Sequence, residues 1–203
     1  MKLWSVPREF EGGTVCVMAS GPSLTIEDVD AVREAGIPTA VINTTFNLFP
    51  GAWCLYAADE SWWEAYPAAM QFAGHKVSVG DIKNVLRLQN TGTTGFDENP
   101  QCLRTGGNSG YQGVHLMAHT GAARIILLGF DMHGDGHWHG DHPAPLRKTE
   151  PETYTTWAQR FEVLAKHLKM RNIEVVNCTP GSALKSFPMV CLSEILETCN
   201  ASN

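Results

Sequence analysis

Between Asp131 and Pro143 the chain sets four histidines (His133, His137, His139 and His142) among three aspartates (Asp131, Asp135 and Asp141). Three chemistries fit such a cluster. A neutral imidazole titrating near about 6.5, oriented by a carboxylate, serves as a general base toward an acceptor hydroxyl. The same side chains bind a divalent metal. Alternatively, the segment is a polar loop whose histidines only hydrogen-bond. No CxxC pair accompanies the cluster, and no regular histidine–carboxylate spacing selects the metal reading.

Two glycine-bearing bends suit an anion. Ser20-Gly21-Pro22-Ser23-Leu24 runs into a helical pattern. A small-residue turn at a helix start offers unpaired N–H groups and the positive end of the dipole to a phosphate. The bend lacks the lysine of a Walker loop and the spacing of GxGxxG. It reads equally as a tight turn capped by Ser23 or Thr25. Gly106-Gly107-Asn108-Ser109-Gly110 opens a second helix and forms a second candidate anion site. Asn43 and Asp59, each following an apolar run, have the polarity to read a ribose or a base. Both residues are also ordinary turn formers. Trp62-Trp63 reads as core more readily than as a stacking platform. His115 and His119 stand four apart, but Leu116 replaces the glutamate of an HExxH site, so they read as structural or solvent-facing. Asn177-Cys178-Thr179-Pro180-Gly181-Ser182 is a further polar turn, in which Ser182 caps a following helix or touches ligand.

The elements around these residues alternate in type. Apolar strand patterns occupy Thr14–Ser20, Pro38–Thr44, Trp53–Asp59, His75–Val79, Arg124–Asp131 and Ile173–Asn177. Helical patterns follow at Thr25–Gly36, with Thr25 and Asp28 as a capping box, at Ser61–Ala73 and at Ser109–Gly121. Two more lie at Thr153–Met170, where Trp157, Phe161, Leu164 and Leu168 form an apolar stripe, and from Ser182 onward. Residues 81–107 read as a long irregular stretch of the functional or mobile kind, with a candidate strand at Val85–Gln89 and loops at Thr91–Gly95 and Asn99–Pro100. Continuous apolar strands separated by helices predict a single α/β domain over residues 1–203, its mostly parallel sheet covered on both faces in a Rossmann-like way. Ligands of such sheets bind beyond the carboxyl ends of the strands, where the polar residues collect.

Composition narrows the classes. At 203 residues, 43% apolar and 18% charged, the chain is long enough for a sizeable core. Its net charge of −6 supplies no general field for nucleic acid or anionic membrane. The first eleven residues hold no apolar run of signal-peptide type, and no run is long enough to span a bilayer. Six dispersed cysteines read as reduced thiols, which leads to the expectation of a cytoplasmic protein.

Taken in order, Gly21-Pro22-Ser23-Leu24, Val41-Ile42-Asn43, Asn108-Ser109-Gly110-Tyr111, Ile125–Asp131 and Cys178–Leu184 with Phe187 resemble a family of bacterial sialyltransferases that use cytidine monophosphate sugars. They are also similar to related proteins carrying the same first turn, among them small bacteriophage proteins and an archaeal pterin pyrophosphokinase. The resemblance spans most of residues 14–187 and implies a glycosyltransferase of variant Rossmann-like fold that usually needs no metal. For such a transfer, the backbone amides of the two bends, Gly21, Pro22 and Ser23 and Asn108, Ser109 and Gly110, would hold the leaving phosphate and stabilise its developing charge. Asn43, Asp59, Asp131, Thr179 and Ser182 would contact the nucleotide. Gly140-Asp141-His142 makes His142 the first candidate base, helped by Asp141, with His139 second. The donor would be a nucleotide sugar, and the acceptor a glycan or a hydroxymethylated base in phage DNA. Association into a homo-oligomer is compatible with this reading. The chain lacks the family's pair of phosphate-binding tyrosines, and its histidine-rich loop is denser than the family pattern. Three other functions stand beside transfer: a pyrophosphokinase with Mg²⁺ at Asp59 and Asp131, a non-catalytic nucleotide-binding protein, and a metal-dependent hydrolase on the histidine-rich loop.

Overall fold

The computed structural model describes residues 2–134, 136–140, 143, 146 and 149–200, the side chain of Asn200 excepted. Five strands come first in chain order: β1 (Thr14–Met18), β2 (Thr39–Ile42), β3 (Cys54–Tyr56), β4 (His75–Ser78) and β5 (Leu86–Arg87). A separate pair, β6 (Gln89–Asn90) and β7 (Cys102–Leu103), precedes β8 (Arg124–Leu128) and β9 (Glu174–Asn177). The large sheet is parallel throughout, in the order β5-β4-β3-β2-β1-β8-β9. The chain therefore winds outward from β1 in one direction, then returns to β8 on the other side. That reversal between β1 and β8 is the switch point of a Rossmann-like sheet.

Strand periodicity builds two cores. Val15, Val17, Ile125 and Leu127 point to one face, and Cys16, Met18, Ile126 and Leu128 to the other. On the first face lie α3 (Ser109–His119) and α4 (Pro151–Met170), the latter through Phe161, Leu164 and Leu168. The second face carries α1 (Ile26–Glu34), α2 (Glu60–Ala65) and α5 (Leu192–Asn200), through Val29, Val32, Trp62, Trp63 and Ile195. The capping box of Thr25 and Asp28 forms as the sequence predicts, with Asp28 N donating to Thr25 Oγ1 at 3.1 Å and Thr25 N to Asp28 Oδ2 at 3.3 Å.

All eleven residues of α3 are buried. Gly113 lets the helix lie close on the sheet, since a Cβ there would sit 2.5 Å from Ile42 Cδ1. Residues 81–107 cover the opposite side of α3, so this stretch is a packed cover rather than an open loop. Leu88 and Leu103 enter the core, and Phe96 stacks on His115 with centroids 4.2 Å apart. His115 is held through both ring nitrogens: Nδ1 accepts from the Arg104 amide at 3.2 Å, and Nε2 lies 3.2 Å from both the amide and the carbonyl of Asp97. Burial pushes the His115 pKa down to about 3, so this histidine is a neutral structural group. His119 Nε2 meets the Cys102 carbonyl at 3.0 Å, and its pKa is likewise lowered by burial.

Two expected helices differ. The aromatic one ends at Ala65, because Pro67 follows; a 3-10 turn, Pro67–Gln71, replaces its second half. No helix starts at Ser182. Its hydroxyl donates to Phe130 O at 2.5 Å and accepts from Asn177 Nδ2 and Leu184 N, each at 3.0 Å. These bonds hold the chain extended, and residues 188–190 then run alongside Asn177, so the closing helix begins ten residues later. Among the described residues no helix is long and apolar enough to cross a membrane, and all six cysteines are free thiols.

Candidate functional site

A cavity of about 520 Å³ opens where the carboxyl ends of β1 and β8 diverge. Its walls include Gly21, Pro22, Asn43, Asp59, Asn108, Ser109, Gly110 and Asp131, so eight of the residues expected at the ligand share one space. The size is that of an ordinary small-molecule site.

The bend after β1 is closed by the protein's own groups. Gly21 N donates to Gly129 O at 3.0 Å, Leu24 N to Gly21 O at 3.2 Å, and Pro22 has no N–H. Ser23 N and Oγ donate to the two carboxylate oxygens of Asp131, at 3.2 and 2.9 Å. The Asp131 carboxylate thus occupies the place a phosphate was expected to take. Asp131 is 5% exposed, and these bonds satisfy a charge that burial would otherwise penalise. The expectation that Gly21 and Ser23 present open amides is not met.

The bend before α3 is open. Asn108 caps the helix, its Oδ1 accepting from Tyr111 N at 2.8 Å. The amides of Ser109 and Gly110 take no acceptor from the described residues. Asn108 Nδ2 is buried and also without a partner among them. The start of α3 is fixed from below: Gln112 Nε2 donates to Asn108 O at 3.2 Å, and the Tyr56 hydroxyl donates to Gln112 Oε1. Burial raises the Tyr56 pKa well above its usual value, which keeps that donor protonated.

Asn43 holds a left-handed backbone, with φ of 50°, at the end of β2, and its side-chain amide bonds to none of the described residues. A strained non-glycine residue on a cavity wall is a mark of a functional position. Asp59 precedes α2 without a side-chain cap bond, so its carboxylate is not used by the helix. Trp62 is 3% exposed and belongs to the core, while one side of it reaches the cavity.

The described part of the histidine-rich segment is anchored through Trp138, which packs against the second core. Its amide donates to Ser20 O at 3.1 Å, and its Nε1 donates to Thr45 Oγ1 at 3.3 Å. This anchor places His137 on the wall, and His133 lies there too. His139 stacks on His137, 5.0 Å between centroids, and is not part of the wall. Asp141 and His142 lie outside the described residues. Among the described residues no group of three metal-binding side chains forms.

Thr179 and Ser182 are fully buried away from the cavity. Thr179 Oγ1 accepts from Phe130 N at 2.9 Å, and Ser182 bonds Phe130 O, so both fasten the strand end that carries Asp131. They support the site without facing a ligand. Conversely, Tyr154 and Trp157 of α4 line the cavity, although the stripe pattern put Trp157 in the core. The signal was present only as its position: Trp157 lies within the first two turns of α4, where a core stripe reaches the sheet's end.

Comparison of the chain with protein-family models, curated proteins and solved structures returned no match.

Proposed function

We propose that this protein is a glycosyltransferase that binds an activated nucleotide sugar in the cavity and moves the sugar to an acceptor hydroxyl, on a glycan or on a hydroxymethylated DNA base. The observation that carries the reading is the pair of unengaged amides, Ser109 and Gly110, at the start of a buried helix and at the sheet's switch point. Those donors suit a phosphate whose negative charge grows as it departs. Asn43 and Asp59 suit the hydroxyls and amide edges of a nucleoside. In the transfer step an imidazole takes the acceptor proton while the acceptor oxygen bonds to the anomeric carbon. The bond from that carbon to the phosphate oxygen breaks, and its electron pair stays on the phosphate. His133 and His137 are the described imidazoles on the cavity wall that could take the proton; His142 with Asp141 is the candidate the resemblance supplies. The pyrophosphokinase reading has less support, because Asp131 is engaged by Ser23.

A thermal-shift series with CMP, CDP, UDP, GDP and ATP, in Mg²⁺ or in EDTA, tests this. A ligand at a hundred times its Kd adds about 2.7 kcal/mol, or about 5–10 °C in a chain of this size. One nucleoside mono- or diphosphate is expected to give that shift in EDTA. A shift only with ATP and Mg²⁺ would replace the reading by phosphotransfer, and no shift with any nucleotide would remove it.

A further inference from the structure

The stripe of α4 breaks at its first member. Phe161, Leu164 and Leu168 are 0, 0 and 1% exposed and pack in the core. Trp157, at the same helical spacing, is only half-buried, lies outside that cluster, and turns to the cavity wall. A large aromatic face left on a concave wall is surface that a ligand covers. Tyr154 stands beside it, edge to face at 90° and 5.5 Å.

The surroundings fix which part of a ligand this face meets. A Cβ on Gly107 would lie 3.2 Å from Trp157 Nε1 and 2.2 Å from Arg160 Nη1, so the indole abuts the turn that leads into the open amides. Arg160 Nη1 donates to Gly106 O at 3.0 Å and ties that turn to α4. On the other flank, Ser109 Oγ accepts from Ala58 N at 3.4 Å, next to Asp59. The amides of Ser109 and Gly110 therefore sit between two walls. One carries Asp59 and Trp62, and the other carries Trp157 and Tyr154. A phosphate held in the middle has its two substituents on opposite walls.

Resting on the function proposed above, we infer that Trp157, with Tyr154, forms the platform for the transferred sugar ring, and that the nucleoside lies on the Asp59 side. The apolar C–H face of a pyranose covers the indole, and its hydroxyls face the polar groups around it. A right-angled aromatic pair offers one ring face and one edge, which suits a single puckered ring.

Calorimetric titration with three pairs of probes tests the assignment: CMP and CMP-N-acetylneuraminate, UDP and UDP-glucose, GDP and GDP-mannose. For the pair that binds, the sugar is expected to improve the wild-type Kd by about tenfold, equivalent to about 1.4 kcal/mol. Trp157→Leu should remove most of that gain and leave the bare nucleotide unchanged, while Trp157→Phe restores part of it. If Trp157→Leu fails to fold, the Trp157→Phe titrations decide alone, a selective loss with the sugar nucleotide being required. A drop in affinity for the bare nucleotide would assign the indole to the base and overturn the inference. So would a sugar gain indifferent to the substitution. A wild type that binds no nucleotide defeats the underlying function, a result distinct from either.

Discussion

Two bends of similar composition stand on one cavity and have opposite fates. Gly21-Pro22-Ser23 and Gly107-Asn108-Ser109-Gly110 both lead from the sheet end toward a helix, and each begins with a glycine. The first is filled by Asp131, whose carboxylate takes the Ser23 amide and hydroxyl. The second keeps the Ser109 and Gly110 amides for something outside the described chain. The difference lies in what faces each turn. A fixed carboxylate at the end of β8 locks one bend as structure, while the other opens on the hollow of the cavity. A glycine-rich turn at a helix start is thus an anion site only where the fold has not supplied its own anion.

The comparison can be broken most sharply at the closed bend. A Cβ at Gly21 would fall 1.8 Å from Asp131 Oδ2 and 2.4 Å from Gly129 O. Gly21→Ala should therefore cost about 3 kcal/mol or more, as overpacking beside a buried charge does. Urea unfolding measures it, and a cost under 1 kcal/mol would mean the bend is loose. Next comes the open bend. Ser109 is the first helical residue of α3, the one position where proline is tolerated, and Asn108 before it is extended at φ −151° and ψ 153°. Ser109→Pro deletes one amide with little damage to the helix, and nucleotide affinity should fall about tenfold, the loss of one charge-assisted hydrogen bond. Unchanged affinity in calorimetry would show that the open amides hold nothing. The smallest effect is expected of Asp131→Asn. It weakens the Ser23 contacts by about 1 kcal/mol, and it takes a negative charge from the cavity, so nucleotide binding should rise rather than fall. A strong fall would make Asp131 a ligand-binding group and erase the contrast.

Much of the frame was legible in the residues. Short, β-branched apolar runs such as Ile125–Leu128, set between helical patterns, read as strands covered on both faces, and Thr25 with Asp28 announces a helix start. The strand ends likewise brought Asn43, Asp59 and Asp131 to one place. What stayed hidden depends on partners distant in the chain. Ser23 and Asp131 are 108 positions apart, so nothing local tells that the first bend is filled. Ser182 shows the same limit, since its bond to Phe130 O reaches across 52 positions and cancels a helix the local pattern favoured. Trp157 obeys the spacing of a core stripe and leaves it only because α4 begins beyond the edge of the packed layer. Residues 81–107 show little periodicity because their paired segments, β5, β6 and β7, are only two residues long each, while the rest of the stretch covers α3.

That cover has a physical result at the site. Peptide dipoles in a helix usually lose much of their field to water along the flank. With protein on every side of α3, its field is shielded least along the shaft and emerges where Ser109 and Gly110 meet the hollow. The attraction for an anion then comes from immobile backbone, which needs no side chain to be ordered on binding and yields less to added salt than surface lysines would.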